Sequence, residues 1–380
     1  LKNESPNIRV AFSDLALFFL KLGTIAFGGP AAHIAMMEDE LVRRRGWVTR
    51  EKFLDLLGAS NLIPGPSSSE LAIHIGYLLC GWRGLIVAGG CFILPAAVMV
   101  TVLAWLYVRF GKLPAVASIL YGVKPVIIGV ILQALWGLGR TAVKTKMFAG
   151  IGLLCIVLGF VGLHPLLVLA FGGIASVLVA LGSRRVRSAL PVLSIGGAVG
   201  AAGASFSLVS LFLVFLKIGA IVFGSGYVLL AFLRSDLVVH YGWLTDGQLL
   251  DAVAVGQITP GPVFTTATFI GFLLGGLRGA LVATVGIFLP AFVMVAASGP
   301  LVGRIRKSQV AGAFLDGVNV ASLALMTVVT WQLGRASLVD FVTVALAVVS
   351  VICLWRWRLN SAWLVGVGAI IGMIANVIRR

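Results

Sequence analysis

The sequence predicts an all-α polytopic membrane protein made of two homologous halves in inverted orientation. Three observations carry this. Of the 380 residues, 60% are hydrophobic and 11% charged, against about half and about a quarter in a soluble domain, too few polar residues to cover a soluble core. Apolar windows long enough to cross a bilayer core, about 20 residues as a helix, recur along the chain. The second half of the sequence then repeats the first. These features exclude a soluble enzyme, a disordered tail and a nucleic-acid binder, although 29 Lys+Arg against 13 Asp+Glu give a net charge of +16. In a membrane protein such an excess sits in cytoplasmic loops and reports orientation.

Taken in order, the long apolar windows run approximately 84–108, 113–138, 147–163, 165–182, 206–224, 279–302, 310–333, 338–354 and 361–378. Shorter or interrupted segments lie near 12–27, 52–81, 188–204 and 248–276. Continuous apolar runs lack the alternation of a barrel, and only helices and closed barrels satisfy the backbone in lipid, so the spans are helical. Nearly every break carries Gly, Pro or a basic cluster. Cys80, Cys91, Cys155 and Cys353 fall inside apolar stretches without paired spacing, so neither a disulfide framework nor a zinc site is expected, and no cofactor or metal is implied. No cleavable signal pattern is visible, so the spans themselves are expected to direct insertion.

A shift of 196 residues places Lys21 on Lys217, Gly23 on Gly219, Phe27-Gly28 on Phe223-Gly224, Gly46-Trp47 on Gly242-Trp243, Asp55 on Asp251 and Pro64-Gly65-Pro66 on Pro260-Gly261-Pro262. After a one-residue gap the shift is 195, matching Gly76 with Gly271, Arg83-Gly84 with Arg278-Gly279, Pro95 with Pro290 and Leu138-Gly139-Arg140 with Leu333-Gly334-Arg335. The chain reads as a first repeat, 1–187, a linker, 188–204, and a second repeat, 205–380.

Loop charge gives the relative orientation. Residues 30–52 hold five basic residues (Arg43, Arg44, Arg45, Arg50, Lys52) against Arg234 alone in the partner loop; the next loop has Arg109 and Lys112 against Arg304, Arg306 and Lys307. The following one has Arg140, Lys144 and Lys146 against Arg335, and the turn at His164-Pro165 has none against Arg356 and Arg358. The richer partner alternates between halves at each loop, as an inverted insertion requires, and inverted repeats are an architecture of secondary transporters.

If Arg43 to Lys52 and Arg140 to Lys146 are both cytoplasmic, residues 52–81 make no net crossing. They read as a re-entrant helical hairpin with its tip at Pro64-Gly65-Pro66, and residues 248–276 as its counterpart from the opposite face with a tip at Pro260-Gly261-Pro262. The segment 12–27 is either a short span or half of a second hairpin.

Non-helical backbone at membrane depth is tolerated where it is buried in protein or lines a watery cavity. Such breaks are expected at Phe27-Gly28-Gly29-Pro30, at Phe223-Gly224-Ser225-Gly226 and at both Pro-Gly-Pro tips. The second proline suits a helix start, and the N–H groups of Ser67 to Ser69 and of Val263 to Thr265 would meet an anion with the positive end of the helix dipole. Ser67, Ser68 and Ser69 from one half and Thr259, Thr265 and Thr266 from the other add hydroxyl donors. The plain alternative is that Gly and Pro only kink packed helices; the duplication of motif, flanks and hydroxyls favours a site.

Lys21 and Lys217 lie in apolar runs six residues before each Phe-Gly pair. A buried ammonium would attract an oxyanion, and one near an interface would snorkel to water. The counterpart of Lys124 is Asn319, which excludes a symmetric role for it. Glu70 and His74 are one turn apart on one helix face and are candidates to carry a proton, with a structural Glu–His hydrogen bond as the alternative. His33, after the Gly-Gly-Pro turn, is a further candidate, or a packing residue. Glu38, Asp39 and Glu40 with Arg43, Arg44 and Arg45 read as an interfacial helix ending at Trp47. Asp55 and Asp251 cap or pair with a neighbouring arginine.

With its duplicated Phe-Gly, Gly-Trp and Pro-Gly-Pro segments at matched spacing, the chain resembles the long-chain, two-domain chromate transporters over essentially the whole membrane region. The resemblance implies a non-enzymatic carrier in the inner membrane of a bacterium or archaeon that exports chromate, a tetrahedral dianion similar to sulfate, on the proton-motive force. A carrier or channel for sulfate or another small anion is the alternative. It maps the family's Phe-Gly-Gly-Pro turn onto Phe27 to Pro30, with Gly28 and Gly29 at the site, and its Pro-Gly-Pro onto Pro64 to Pro66 and Pro260 to Pro262. The second copy departs with Gly224-Ser225-Gly226. The expected partners are the oxyanion, the lipid bilayer and a second copy in a homodimer, with no nucleic acid.

Overall fold

The computed structural model describes residues 10–27, 29–111, 113–182, 206–223, 228–298, 308–357 and 361–378. The expected linker 188–204 and the site positions Gly28, Gly224 and Ser225 lie outside the described residues. Among the described residues every regular element is helical. The first half comprises α1 (Phe12–Ile25), α2 (Gly29–Met37), α3 (Arg50–Ser60), α4 (Ser67–Phe110), α5 (Pro114–Ala142), α6 (Lys146–Phe160) and α7 (Pro165–Gly182). The second comprises α8 (Leu208–Ile221), α9 (Leu229–Leu233), α10 (Asp246–Ile258), α11 (Thr266–Ser298), α12 (Gln309–Ser337), α13 (Phe341–Arg356) and α14 (Ser361–Ile378).

The element α1 has 14 residues, which rise about 21 Å and fall short of a hydrocarbon core of about 30 Å. It is a half-helix that stops at the Ala26 break. From α2 and α9 the chain continues through π-helical turns, Glu38–Arg44 and Arg234–His240. Gly46 (φ 61°) and Gly242 (φ 64°) then reverse it in the left-handed region, which glycine enters without a Cβ penalty. Here Arg45 Nε donates to Glu40 at 2.8 Å, which holds that carboxyl below its ordinary range, and its guanidinium lies 4.7 Å from the Trp47 ring. These contacts join the charged segment to Trp47, as the sequence places them. Thr49 and Thr245 then cap α3 and α10, the latter with a full capping box to Gln248.

The two longest helical runs are folded hairpins. In α4 the backbone leaves helical geometry at Cys80 (φ −136°, ψ 19°) and Gly81 (φ 61°, ψ −150°). In α11 it does so at Gly275 (φ −139°, ψ 20°) and Gly276 (φ 60°, ψ −151°). Gly76 is pressed against the Gly84 carbonyl and Gly271 against that of Gly279. Eight residues along a straight helix would be separated by about 12 Å, so each run doubles back. The arm from Ser67 to the turn therefore lies back against the second arm, which alone is long enough to cross a hydrocarbon core. This is the re-entrant hairpin expected around each Pro-Gly-Pro.

The halves are interlocked. The pairs α1 with α4 and α8 with α11 pack within each half, and α4 meets α11 across the centre. The helix α5, by contrast, packs against α13 and α14 of the other half, while its counterpart α12 packs against α6 and α7. Both exchanges run through glycines: Gly122 lies on the Gly368 backbone, and Gly317 on that of Gly172. Small residues permit this approach, and helix association in lipid depends on such packing. The helices α5 and α12 run antiparallel, because Lys144 near the end of one pairs with Asp316 near the start of the other at 2.8 Å, while Tyr121 near the start of α5 donates to Asp340 just past the end of α12. Tyr121 is itself the repeat counterpart of Asp316 (121 + 195 = 316), so the inversion is visible in side-chain pairs.

A branched residue at Gly122 has no space. Gly122→Val is expected to destabilise the protein by about 1–3 kcal/mol or more, read as detergent unfolding, whereas Gly137→Ala, with nothing within 4 Å of the added methyl, is expected to be neutral.

Candidate functional site

Each helix break strands backbone groups that lipid cannot solvate, and the two halves satisfy them reciprocally. The N–H of Gly65, at the first tip, donates to the carbonyl of Val222 at the end of α8, 2.7 Å. The N–H of Gly261, at the second tip, donates to the carbonyl of Ala26 at the end of α1, 3.0 Å. The pairs are related by the repeat shift (65 + 196 = 261; 26 + 196 = 222). Both tip glycines have positive φ, 141° and 92°. Both tips are thereby held at the centre, each against the other half's broken helix.

The surroundings of the first tip are polar. His33 is fully buried, with Nε2 3.1 Å from the Ala26 carbonyl and Nδ1 3.3 Å from Ser68 Oγ. A neutral ring donating from Nε2 accepts the serine proton at Nδ1, so His33 fastens α2, the α1 break and the first turn of α4 together. The corresponding residues of the second half are Leu229 and Phe264, which offer no such bond. Glu70 and His74 are buried and do not bond to one another: both Glu70 oxygens and His74 Nε2 are unpartnered among the described residues. The structural Glu–His hydrogen bond is therefore not formed.

The donor count at the tips is smaller than the sequence suggests. Pro66 and Pro262 occupy the cap positions, and the N–H groups of Ser69 and Thr265 are used by their carbonyls, at 2.8 and 3.0 Å. The hydroxyl protons of Thr259, Thr265 and Thr266 go to the carbonyls of Val255, Pro262 and Val263 at 2.8–2.9 Å. In the first half Ser69 Oγ is buried without a partner among the described residues, and Ser67 faces the cavity described next. Lys217 is held by Asp236 at 2.7 Å, with His164 3.7 Å from the same carboxyl. Lys21 is exposed and sits in a shallow pocket with Glu40, the repeat counterpart of Asp236 (40 + 196 = 236). Both lysines therefore face a carboxylate on the π-helical turn.

A cavity of about 570 Å³ reaches the first tip, lined there by Pro30, Ile34, Asn61 and Ser67, and runs between α5 and α12 past Asn319 and Ser322 to the Lys144–Asp316 pair. At that end Thr141, Ala142 and Lys144 line it, beside the basic loop that the charge count predicts to be cytoplasmic. Toward the other end of α5 side chains tie the helices together. Asp251 of α10, almost fully buried, accepts from Tyr107 of α4 at 2.9 Å and pairs with Lys124 of α5 at 3.1 Å. The repeat counterpart of Lys124 is Asn319, which lines the open cavity. Sequence reading expected Asp251 to cap its helix or pair with a nearby arginine; its partner is a lysine from the other half, a contact no local spacing encodes.

Residues 13–177 and 209–373 each match the chromate transporter family. The chain belongs to that family. It is 35% identical over 373 residues to a chromate transport protein of Cupriavidus metallidurans, covering 95% of this chain and 92% of the relative. A probable chromate transport protein of Synechococcus elongatus is 33% identical (96% and 95% covered), and a chromate transport protein of Pseudomonas aeruginosa 31% identical (92% and 89% covered). No solved structure matches the chain. The two matched segments coincide with the two halves seen in the fold, as a multi-pass member of this family.

The Asp251 network spans both halves, so removing one partner strands a buried charge. Asp251→Leu is expected to lower stability by about 3–5 kcal/mol, and the double variant Lys124→Met/Asp251→Leu to recover most of it. Detergent unfolding of the three proteins checks this; additive losses would contradict the pairing.

Proposed function

We propose that this protein carries chromate across the cytoplasmic, inner membrane of a bacterial or archaeal cell, outward and at the expense of the proton-motive force. The observation that carries the reading is the reciprocal bonding of the two Pro-Gly-Pro tips to the opposing helix breaks, with a water-sized path leading to one of them. The names of the relatives point to chromate. A tetrahedral oxyanion suits a site built from helix N-termini, backbone donors and serine hydroxyls, which supply positive potential without the tight ion pairing of a lysine ring. Lys21 and Lys217, each facing a carboxylate, leave that task to Ser67, Ser68 and Ser69 at the first tip, with Pro262 through Thr266 of the second enclosing the anion.

The inverted halves supply the movement. A chain built from two copies of one fold has two related end states, in which the halves exchange conformations. In this reading the described state is the one open toward the basic face, with the Asp251 contacts closing the other. Rocking or elevator-like motion of the hairpins against the crossed α5 and α12 would open the Asp251 side and close the cavity.

Proteoliposomes carrying the purified protein, with an imposed pH gradient, are expected to accumulate labelled chromate above empty vesicles, and sulfate is expected to compete; uptake no greater than in empty vesicles would contradict the proposal. At the tips, a Cβ on Gly261 would lie 2.6 Å from Ala96 Cβ and 3.3 Å from the Gly23 carbonyl, and on Gly65 would meet the Glu70 carboxyl. Gly65→Leu and Gly261→Leu are each expected to cut flux by at least about tenfold, about 1.4 kcal/mol, within the range of an overpacked site, with the elution profile unchanged. Near-normal flux in both would remove the tips from the site.

A further inference from the structure

The first tip holds a group of side chains that anion binding by backbone and serines leaves unexplained. Glu70 is fully buried, and neither carboxyl oxygen has a hydrogen-bond partner among the described residues. Ser69 Oγ, beside it, and His74 Nε2, one turn on, are buried and unpartnered as well. The Glu70 carboxyl lies over Gly65 where a Cβ would otherwise sit, so the glycine of the tip makes room for it. The hairpin fold does not need this arrangement: the counterparts in the second half are Thr265 and Thr266, both satisfied by carbonyls of their own turn.

The ionisable residues on the elements around Glu70 leave it alone. His33 of α2 is engaged by Ala26 and Ser68, Asp251 of α10 by Lys124 and Tyr107, and Lys217 of α8 by Asp236. His74 on its own helix, Lys21 of α1 and Asp55 of α3 make no bond to it, and α11 presents Ala291 there. An isolated carboxylate at this depth is costly, and a dianion placed at the Ser67–Ser69 turn would set oxygen lone pairs against oxygen lone pairs. One proton between them removes both penalties.

We propose that the site takes up one proton with each oxyanion, shared between Glu70 and an oxygen of the anion, so that proton and anion travel in the same direction. This rests on the reading that the anion binds at the first tip. No bond of the anion breaks: the proton comes from water in the cavity and returns to water with the anion on the other side. A dianion and a proton then move with a net charge of minus one, so the negative-inside potential is the part of the proton-motive force that drives export, while an alkaline-inside pH gradient opposes it.

The test is calorimetric binding of sulfate and of chromate to the purified full chain across about four pH units around neutrality. Sulfate stays a dianion throughout, so its slope reports the protein. The affinity is expected to fall about tenfold per pH unit over the alkaline part of the range, the signature of one proton taken up. Glu70→Asp is expected to keep that slope, and Glu70→Gln, which holds a donor at every pH, to bind with no slope. A flat wild-type profile, or a slope that persists in Glu70→Gln, overturns the shared proton while leaving the anion site standing. No binding of either anion at any pH overturns the anion site itself, and the shared proton with it.

Discussion

The constraint on which the structure turns is that a helix broken inside the membrane exposes backbone groups that lipid cannot satisfy. Among the described residues such ends lie at Ala26, Gly65, Val222 and Gly261, and each half satisfies the other's. Gly65 donates to Val222 and Gly261 to Ala26. Once those bonds are fixed, much else is forced. The tips need glycine, because φ is positive and the space a side chain would fill is occupied by Glu70 or Ala96. The halves must interlock, because each tip glycine donates to the break of the other half. The exchange of α5 and α12 between the terminal helices of the opposite halves then continues the same interdependence out to the periphery.

Upon that shared frame the two copies have diverged in polarity. Around the first tip stand His33, Ser68, Ser69, Glu70 and His74, and around the second Leu229, Phe264, Thr265 and Thr266, with the threonine hydroxyls turned onto carbonyls. The open and closed faces differ in a comparable way: Lys124 ties Asp251 on the closed side, and its counterpart Asn319 lines the open cavity. The backbone symmetry provides two related end states, and the side-chain asymmetry distinguishes them. A duplicated carrier with identical halves would have no residue like Glu70 to make one tip chemically different from the other.

Much of this was legible in the residues. The tips were readable because Pro-Gly-Pro within an apolar run admits few conformations, and the inversion because basic residues mark loops on one face. The hairpin turns at Gly81 and Gly276 could be placed only roughly, as the ends of segments that make no net crossing. What could not be read was which partner each group finds across the molecule. Nothing near Asp251 in sequence points to Lys124 or Tyr107, and nothing near Lys217 points to Asp236. Periodicity specifies a face of a helix, whereas these pairs depend on how separate helices meet. The same limit explains why Ser69 and Thr265 looked like equivalent donors. They share a position in the repeat, and only the local turn decides that the threonine hydroxyl is spent on Pro262 while the serine hydroxyl is not.

The central claim is that the oxyanion lies between the two hairpin tips. Chromium scatters anomalously, so a structure of the full chain with chromate bound locates the anion without assumption. The account predicts one chromium position enclosed by Ser67 to Ser69 and Pro262 to Thr266. Chromium found only at the Lys144–Asp316 mouth, or among Arg43 to Lys52, would contradict it.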